Sequence, residues 1–431
     1  MVDWESNSIT ILFICGHAFL YFVALLITFR PRLTVFHLFL ATQFVAFVVR
    51  PILAVQERFF LYQVPDVWCL YNLGLLLQLM ATLFFVGGYL LGLLIKNRGF
   101  LPASRKSRFV IPLTFFRGMV FSLVLGVFSV ILIHVFSSGL WLPSARSQAL
   151  TAVVPFGKLL FGMAVIPLSF SFTVSLYFLW SRRRIISLHG VLSLASLLLS
   201  GLLLILLYQR GFLLMGFIVF IFLLDRVGAI TYGRLASFAG IGLILLIFAR
   251  PVALLVATGQ MPEMRAGLKH YLLYQPNFDN PDVWPVVITF VKEDGLLNGR
   301  TFLAIPLRFA SPLVRREWNI LTAVDVLNFF YKGSSYWETR FGFNVSLPQE
   351  LFLNFGWLGL FFTVFAGIVT AWVDIWLWRI YPRRVFLMYA VFASFFTGGF
   401  MGELGGTLQW TLAYITFGLV VDWLSRIRRG A

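Results

Sequence analysis

Long apolar runs constrain this chain more than any other feature of its sequence. About eleven stretches are apolar over roughly 14 to 29 residues each, close to the length of a helix that crosses a bilayer. Hydrophobic residues make up 60% of the 431 residues and charged residues only 12%. Such a balance is typical of a protein embedded in a membrane rather than a soluble globular one.

Each apolar run is interpreted as a candidate membrane span. The candidates cover about residues 7–28, 33–53, 67–95, 109–136, 157–180, 186–207, 211–224, 235–257, 350–373, 385–401 and 407–423. The seventh run is short for a span. Because only helices and closed barrels satisfy their backbone groups inside a bilayer, the sequence predicts an all-α polytopic membrane protein with about 11 transmembrane helices.

The distribution of Lys and Arg predicts the orientation of these spans. Loops on one side hold 18 of the 34 Lys and Arg residues, whereas the short opposite loops hold four. Cationic loops favour the cytoplasmic side, so the N-terminus is predicted outside and the C-terminus in the cytoplasm. Most of the +17 net charge then reflects topology, and no nucleic-acid partner is expected.

One outer loop is exceptional in length. Residues 258–349 form a polar segment of about 90 residues between the eighth and ninth spans, and loops this long usually carry function. The predicted organisation is a transmembrane bundle over 1–257, a large periplasmic loop over 258–349 and a second bundle over 350–431. Within the loop, Trp284–Val291 and Val324–Tyr331 are predicted as short helices lying on the membrane.

Several arginines lie where a charge is costly. Arg50, Arg117 and Arg250 fall inside candidate spans, where a charged side chain costs about 2.5 to 3.5 kcal/mol on insertion scales. Arg50, near the outer end of its span, either snorkels to the surface or has a function. Arg250 precedes Pro251 and is a functional candidate, and Arg210 is held at a tight outer turn between the sixth and seventh spans.

The large loop adds further cationic candidates. Arginine binds phosphate through a bidentate fork and keeps its charge at any working pH, so arginines gathered at the outer leaflet suit a pyrophosphate group. The loop arginines are Arg265, Arg300, Arg308, Arg315 and Arg316, and the loop also contains His270. The sequence has no phosphate-loop, zinc-protease or Asp-x-Asp motif, and neither metal nor cofactor is expected.

The stretch "SLPQELFLNFGWLGLFF" at 346–362 combines a carboxylate with an apolar run. Pro348 and Glu350 suit the first turn of a helix. Asn354 is expected one turn from Glu350 on the same side, and Gly356 and Gly359 on one helix face, where they allow close approach. The alternative to a simple helix start is a catalytic corner facing a lipid-linked substrate.

Three segments together resemble the O-antigen polymerases, the Wzy-type oligosaccharide repeat-unit polymerases. They are "QRG" at 209–211, "GLLNGRTFLAIPLRFASPLVRREW" at 295–318 and "PQELFLNFGWLG" at 348–359. The third is similar to the family's Glu-aliphatic-aromatic-x-Asn-Phe-Gly-x-x-Gly pattern and is the most specific of the three. The predicted topology also matches, so the resemblance covers most of the chain.

The resemblance implies a membrane glycosyltransferase with glycosyltransferase-C-like architecture, acting at the periplasmic face of the bacterial inner membrane. A growing glycan on undecaprenyl pyrophosphate would be transferred to a hydroxyl of the next repeat unit on the same lipid. Other implied partners are the membrane lipid and a chain-length regulator protein. The candidate catalytic residues are Glu350, Arg210, Arg250 and Arg315, with Glu350 as base or hydroxyl-positioning group and Glu338 and Asp325 as weaker options. The candidate substrate-binding residues are Arg50, Arg265, Arg300, Arg308, Arg316, His270, Asn354 and Glu403.

Two other functions remain as alternatives. O-antigen ligases, which transfer the finished glycan to lipid A core, carry a His-containing motif shortly before the same corner, where this chain has Asn344 and Ser346. A lipid transporter or flippase would be expected to carry charged residues at mid-depth in several spans. Only Arg117 and Arg250 are clear candidates for such positions in this sequence, and no carboxylate lies near the middle of a predicted span. Both features favour the polymerase.

Overall fold

A computed structural model describes most of the chain's helices. The described residues are 4–28, 33–96, 113–136, 157–181, 187–207, 210–226, 280–307, 321–333, 343–380 and 404–426, with the single positions 234, 237, 241, 242, 391 and 402. Over these ranges the protein is helical and contains no β-strand. The predicted all-α class is confirmed for this part of the chain.

The described helices are named here in chain order. They are α1 (Trp4–Thr28), α2 (Val35–Phe44), α3 (Arg50–Glu57), α4 (Val67–Ile95), α5 (Leu113–Phe136), α6 (Gly157–Ser181), α7 (Leu188–Leu206), α8 (Arg210–Arg226), α9 (Asn280–Asp294), α10 (Arg300–Leu307), α11 (Ala323–Lys332), α12 (Leu347–Phe355), α13 (Trp357–Phe361), α14 (Thr363–Ile380) and α15 (Leu404–Arg426). A π-helical segment, Val45–Val49, joins α2 directly to α3.

Seven described stretches are long and apolar enough to cross a membrane. They are Asn7–Thr28, Val35–Glu57, Val67–Ile95, Phe116–Val135, Leu160–Trp180, Leu188–Leu206 and Trp357–Leu377, and Gly211–Asp225 is a shorter apolar helix. The predicted span 407–423 lies within α15. Most of 235–257 and of 385–401 lies outside the described residues, so the total of about 11 spans stays a prediction.

The chain forms two compact units, each assembled from separate stretches. The first comprises residues 1–101, 268–379 and 394–411, and the second comprises 102–267, 380–393 and 412–431. Much of the predicted large loop, including α9, α10 and α11, therefore belongs to the first unit together with α1 to α4.

The core of the first unit is built around α4 and α9. Trp284 of α9 is fully buried and fills the notch at Gly74 of α4, where an added Cβ would lie 2.3 Å from the Trp284 Cβ. Its indole Nε1 donates to Gln78 Oε1 at 3.3 Å. All residues from 280 to 290 are buried. The helix predicted at Trp284–Val291 is confirmed, but its expected position on the membrane surface is wrong, because α9 packs into the core.

Close backbone contact joins α4 to α14 in the same unit. Gly88 lies against the backbone of Val364, and Gly367 against that of Phe85. Thr363 Oγ1 donates to the carbonyl oxygen of Ala81 at 2.9 Å. Small residues that let two helix backbones meet are typical of packing in membranes.

The second unit packs through small polar side chains. Helix α6 contacts α5, α7 and α8. The hydroxyls of Ser171 in α6 and Ser196 in α7 share a hydrogen bond of 2.7 Å, and Thr173 donates to the carbonyl oxygen of Gly216 in α8 at 2.9 Å. These short side chains form hydrogen bonds between the helices and leave room for a close approach, as is typical of packing in membranes.

Candidate functional site: the Glu350 corner

The Glu350 corner, residues 346–361, is a broken helix rather than the start of a continuous span. Helix α12 begins after Ser346, whose backbone N–H and Oγ–H donate to Gln349 Oε1 at 2.8 and 2.9 Å. Pro348 lies in the first turn, where its missing N–H costs nothing. The predicted helix start is confirmed. The span predicted over 350–373 is present but begins later, as the apolar stretch Trp357–Leu377, because the first helix ends at Phe355 and the chain restarts a helix at Trp357.

Gly356 makes the break. Its φ of 58° and ψ of −138° form a conformation that is essentially restricted to glycine. The chain then turns so sharply that a Cβ added at Gly359 would lie 2.1 Å from the carbonyl oxygen of Leu351. The expected close approach at Gly359 is present, but the two glycines do not share the face of one helix.

The segment Gly295–Arg300 closes the end of α12. Helix ends leave carbonyl groups without intrahelical partners, and two of them are met here. The backbone N–H of Leu297 donates to the Leu353 carbonyl and that of Asn298 to the Asn354 carbonyl, both at 3.0 Å. Gly295 and Gly299 make this possible with φ values of 82° and 85°. The "GLLNGR" and "NFG" sequences are therefore two halves of one backbone junction.

We expect Gly356→Ala to destabilise the first unit by about 2 kcal/mol or more, because alanine is strained at this φ and ψ. Space is not the cause, since an added Cβ would be 3.6 Å from the Leu296 side chain. Thermal unfolding of the purified protein in detergent measures the effect.

The matched control for this strain is Gly162→Ala in α6, where an added Cβ meets nothing within 4 Å. Alanine there should be neutral or stabilise by up to about 1 kcal/mol. Equal stability of the Gly356 and Gly162 variants would contradict the strain argument.

The Glu350 carboxylate is buried, with 2% of the residue exposed, and both of its oxygens accept hydrogen bonds. Thr301 Oγ1 donates to Oε1 at 3.0 Å. The backbone N–H of Leu404, at the start of α15, donates to Oε2 at 2.6 Å. One oxygen therefore faces a side-chain hydroxyl, and the other faces the positive N-terminal end of a helix.

Asn354 completes a short hydrogen-bonded chain beside Glu350. Its Nδ2 donates to Thr301 Oγ1 and to the Glu350 carbonyl oxygen, both at 2.7 Å. The predicted placement of Asn354 one turn from Glu350 on the same side is confirmed. Its Oδ1 is buried and has no hydrogen-bond partner among the described residues, so one acceptor remains next to the carboxylate.

Arg50 was predicted either to snorkel to the surface or to have a function, and the structure excludes the first of these. It is fully buried, which excludes snorkelling, and it forms an ion pair with Asp282 of α9. Its role as a ligand for pyrophosphate stays a prediction.

The remaining sequence candidates are distributed over both units. Arg300 is exposed and begins α10, directly before Thr301. Arg210 begins α8 in the second unit. Asp325 caps α11 through reciprocal hydrogen bonds with Thr322. Outside the described residues lie Arg250, Arg265, His270, Arg308, Arg315, Arg316, Glu338 and Glu403.

Sequence reasoning missed several residues that belong to the Glu350 corner or lie in the segments that support it. Thr301 carried a weak signal, since it directly follows a candidate arginine in one of the three resembling segments. Asp282 carried a stronger one, because it is an acid next to the apolar sequence "VWPVVITF". Gln349 and Asn280 gave none, because their role depends on a contact between segments 69 positions apart.

The corner can hold one buried carboxylate at a fixed position, with a hydroxyl and an amide orienting it. Such a group can accept a proton from a bound hydroxyl or orient that hydroxyl for attack. Comparisons with protein-family models, with curated proteins and with solved structures find no match for this chain.

Proposed function

We propose that the protein polymerises lipid-linked oligosaccharide repeat units at the periplasmic face of the bacterial inner membrane. The donor is a growing glycan on undecaprenyl pyrophosphate, and the acceptor is a single repeat unit on the same lipid. The product would serve O-antigen, capsule or exopolysaccharide synthesis. The proposal includes about 11 spans, an outer N-terminus, a cytoplasmic C-terminus and a glycosyltransferase-C-like architecture.

The observation that carries the proposal is the convergence of two separate motifs on one cluster. Thr301 belongs to the segment 295–318, and Glu350 and Asn354 belong to the segment 348–359. These two segments, which supply most of the resemblance, are joined by hydrogen bonds between side chains as well as between backbones. A catalytic carboxylate held by a second motif of the same family pattern supports a polymerase.

Each candidate catalytic residue is assigned a role in the proposed reaction. The acceptor hydroxyl oxygen attacks the anomeric carbon of the donor's first sugar, and its proton passes to Glu350. The bond from that carbon to the pyrophosphate oxygen breaks, and undecaprenyl pyrophosphate leaves with the electron pair. Negative charge grows on the leaving group, where arginines stabilise it without a metal. Arg210, Arg250 and Arg315 are the proposed arginines.

The proposal is tested by deleting the gene and examining the lipid-linked and finished glycans. Loss of polymerisation should leave glycans that are one repeat unit long, and the intact gene should restore the full ladder of lengths. Transfer of preformed polymer onto lipid A core by the purified protein, without extension, would replace the polymerase with a ligase. Retention of repeat units on the cytoplasmic side of the membrane would replace it with a flippase.

A further inference from the structure

The path from α2 to α3 is distorted at the point where it delivers Arg50. The backbone N–H of Arg50 donates to the carbonyl oxygen of Val45, five residues earlier, which is a π-helical bond. Pro51 follows and has no N–H to continue an α-helical ladder. One extra residue in a turn rotates the side chains that follow it, and π-helical turns are frequent at functional sites. In this chain the distortion accompanies an arginine turned into the core.

Asp282 receives that arginine and a second donor. The Arg50 Nη2 and the backbone N–H of Leu61 both donate to Asp282 Oδ2, the latter at 3.2 Å. The two charged side chains are 0% and 1% exposed. The pair therefore fixes the first turn of α9 both to α3 and to the segment that follows α3.

The first turn of α9 in turn holds the start of α12. Gln349 Nε2 donates to the carbonyl oxygen of Asn280 at 2.6 Å, and Asn280 Nδ2 donates to the carbonyl oxygen of Asn344 at 2.5 Å. Gln349 precedes Glu350 directly in the same turn. An unbroken set of buried contacts thus leads from Arg50 through α9 to the backbone that carries the carboxylate.

A buried ion pair is a poor means of stabilising a protein, because the cost of desolvation offsets the attraction, and apolar residues of similar volume often replace such a pair without loss of stability. We infer that Arg50 and Asp282 are positioning residues that set the place of Glu350 through the first turn of α9. This inference rests on the proposed function, in which Glu350 is the catalytic carboxylate. Arg50 then contributes to the reaction without touching the substrate.

The kinetic test compares Arg50→Lys with the double variant Arg50→Met/Asp282→Leu, which removes both charges of the pair. In purified protein extending lipid-linked repeat units, the double variant should lose roughly tenfold or more in kcat with little change in KM. Arg50→Lys keeps the charge and should recover part of that loss. A wild-type kcat in the double variant would overturn the inference, and so would a raised KM with unchanged kcat, which would mean that Arg50 binds substrate.

A labelling test keeps the inference separate from the proposed function. With Cys15 and Cys69 replaced by alanine, a cysteine at Val345, which is 1% exposed, should resist a water-soluble maleimide. It should react faster in the double variant, whereas a cysteine at the exposed Lys292 should react equally in both. Unchanged protection at Val345 would overturn the positioning role. Failure of the wild-type protein to extend repeat units would refute the proposed function and leave this test valid.

Discussion

Glu350→Gln is expected to abolish polymerisation while the protein still folds. A glutamine can keep the contact with the Leu404 N–H through its carbonyl oxygen, but its amide cannot accept the hydrogen bond that Thr301 Oγ1 now donates. The cost to stability should be about 1 to 3 kcal/mol, the value of a buried donor that loses its acceptor. The amide cannot take a proton from the acceptor hydroxyl, so activity should fall by about 100-fold to 10,000-fold, the usual contribution of a general base.

The measurement is the ladder of glycan lengths in a deletion strain carrying the variant, together with the amount of folded protein extracted from membranes. Glu293→Gln is the matched control, since Glu293 lies exposed at the end of α9, and this variant should give a normal ladder. A full ladder from Glu350→Gln would show that the carboxylate is not the base. Loss of folded protein at wild-type specific activity would assign Glu350 a structural role, as the anchor of the α15 N-terminus.

The spans were predictable because a bilayer leaves the backbone few options. Inside hydrocarbon a helix satisfies its own backbone N–H and C=O groups. An apolar run of sufficient length therefore predicts a helix and its approximate length. The predicted spans 7–28 and 67–95 coincide with Asn7–Thr28 and Val67–Ile95. The start of α12 was also readable, because Pro348 and Glu350 each suit the first turn of a helix for a local reason.

The breaks and the buried loop helix were not predictable from local pattern. In "LNFGWLG" a glycine can continue a membrane helix or end it. Here the helix ends, and its last carbonyl groups accept hydrogen bonds from backbone N–H groups of Gly295–Arg300, more than 50 positions away. The run around Trp284 is short and flanked by polar residues, as surface helices are. Its burial depends on the notch at Gly74 and on a hydrogen bond from Trp284 to Gln78. Long-range complementarity of this kind leaves no periodic signal in one sequence.

In the candidate site, contacts between residues close in sequence were predictable, and contacts between distant segments were not. Asn354 lies four residues from Glu350, and helical geometry alone placed the two together. Thr301 joins them through a contact 49 positions apart, and the partner of Arg50 lies 232 positions away. The cost of burying a charge marked Arg50 as important, but it could not say whether the partner would be a substrate or a carboxylate of the same chain.

Gly88→Ala should strongly destabilise the first unit. The Cβ would lie 2.1 Å from the carbonyl oxygen of Val364 and 2.8 Å from its carbon, both of them backbone atoms that no rotamer change can move away. Helices α4 and α14 would have to separate. The contact of Gly367 with the Phe85 backbone would then be lost together with that of Gly88 with Val364. We expect a loss of at least about 3 kcal/mol, at the upper end of overpacking costs.

Gly87→Ala supplies the control one residue away on the same helix. An added Cβ there meets nothing within 4 Å, so the variant should gain up to about 1 kcal/mol from helix propensity. Thermal unfolding in detergent compares the two directly. The two variants add the same methyl group at neighbouring positions of one helix. A lower melting temperature for Gly88→Ala and an unchanged or higher one for Gly87→Ala would therefore reflect the contact with α14. Equal melting temperatures would show that the two helices do not meet there.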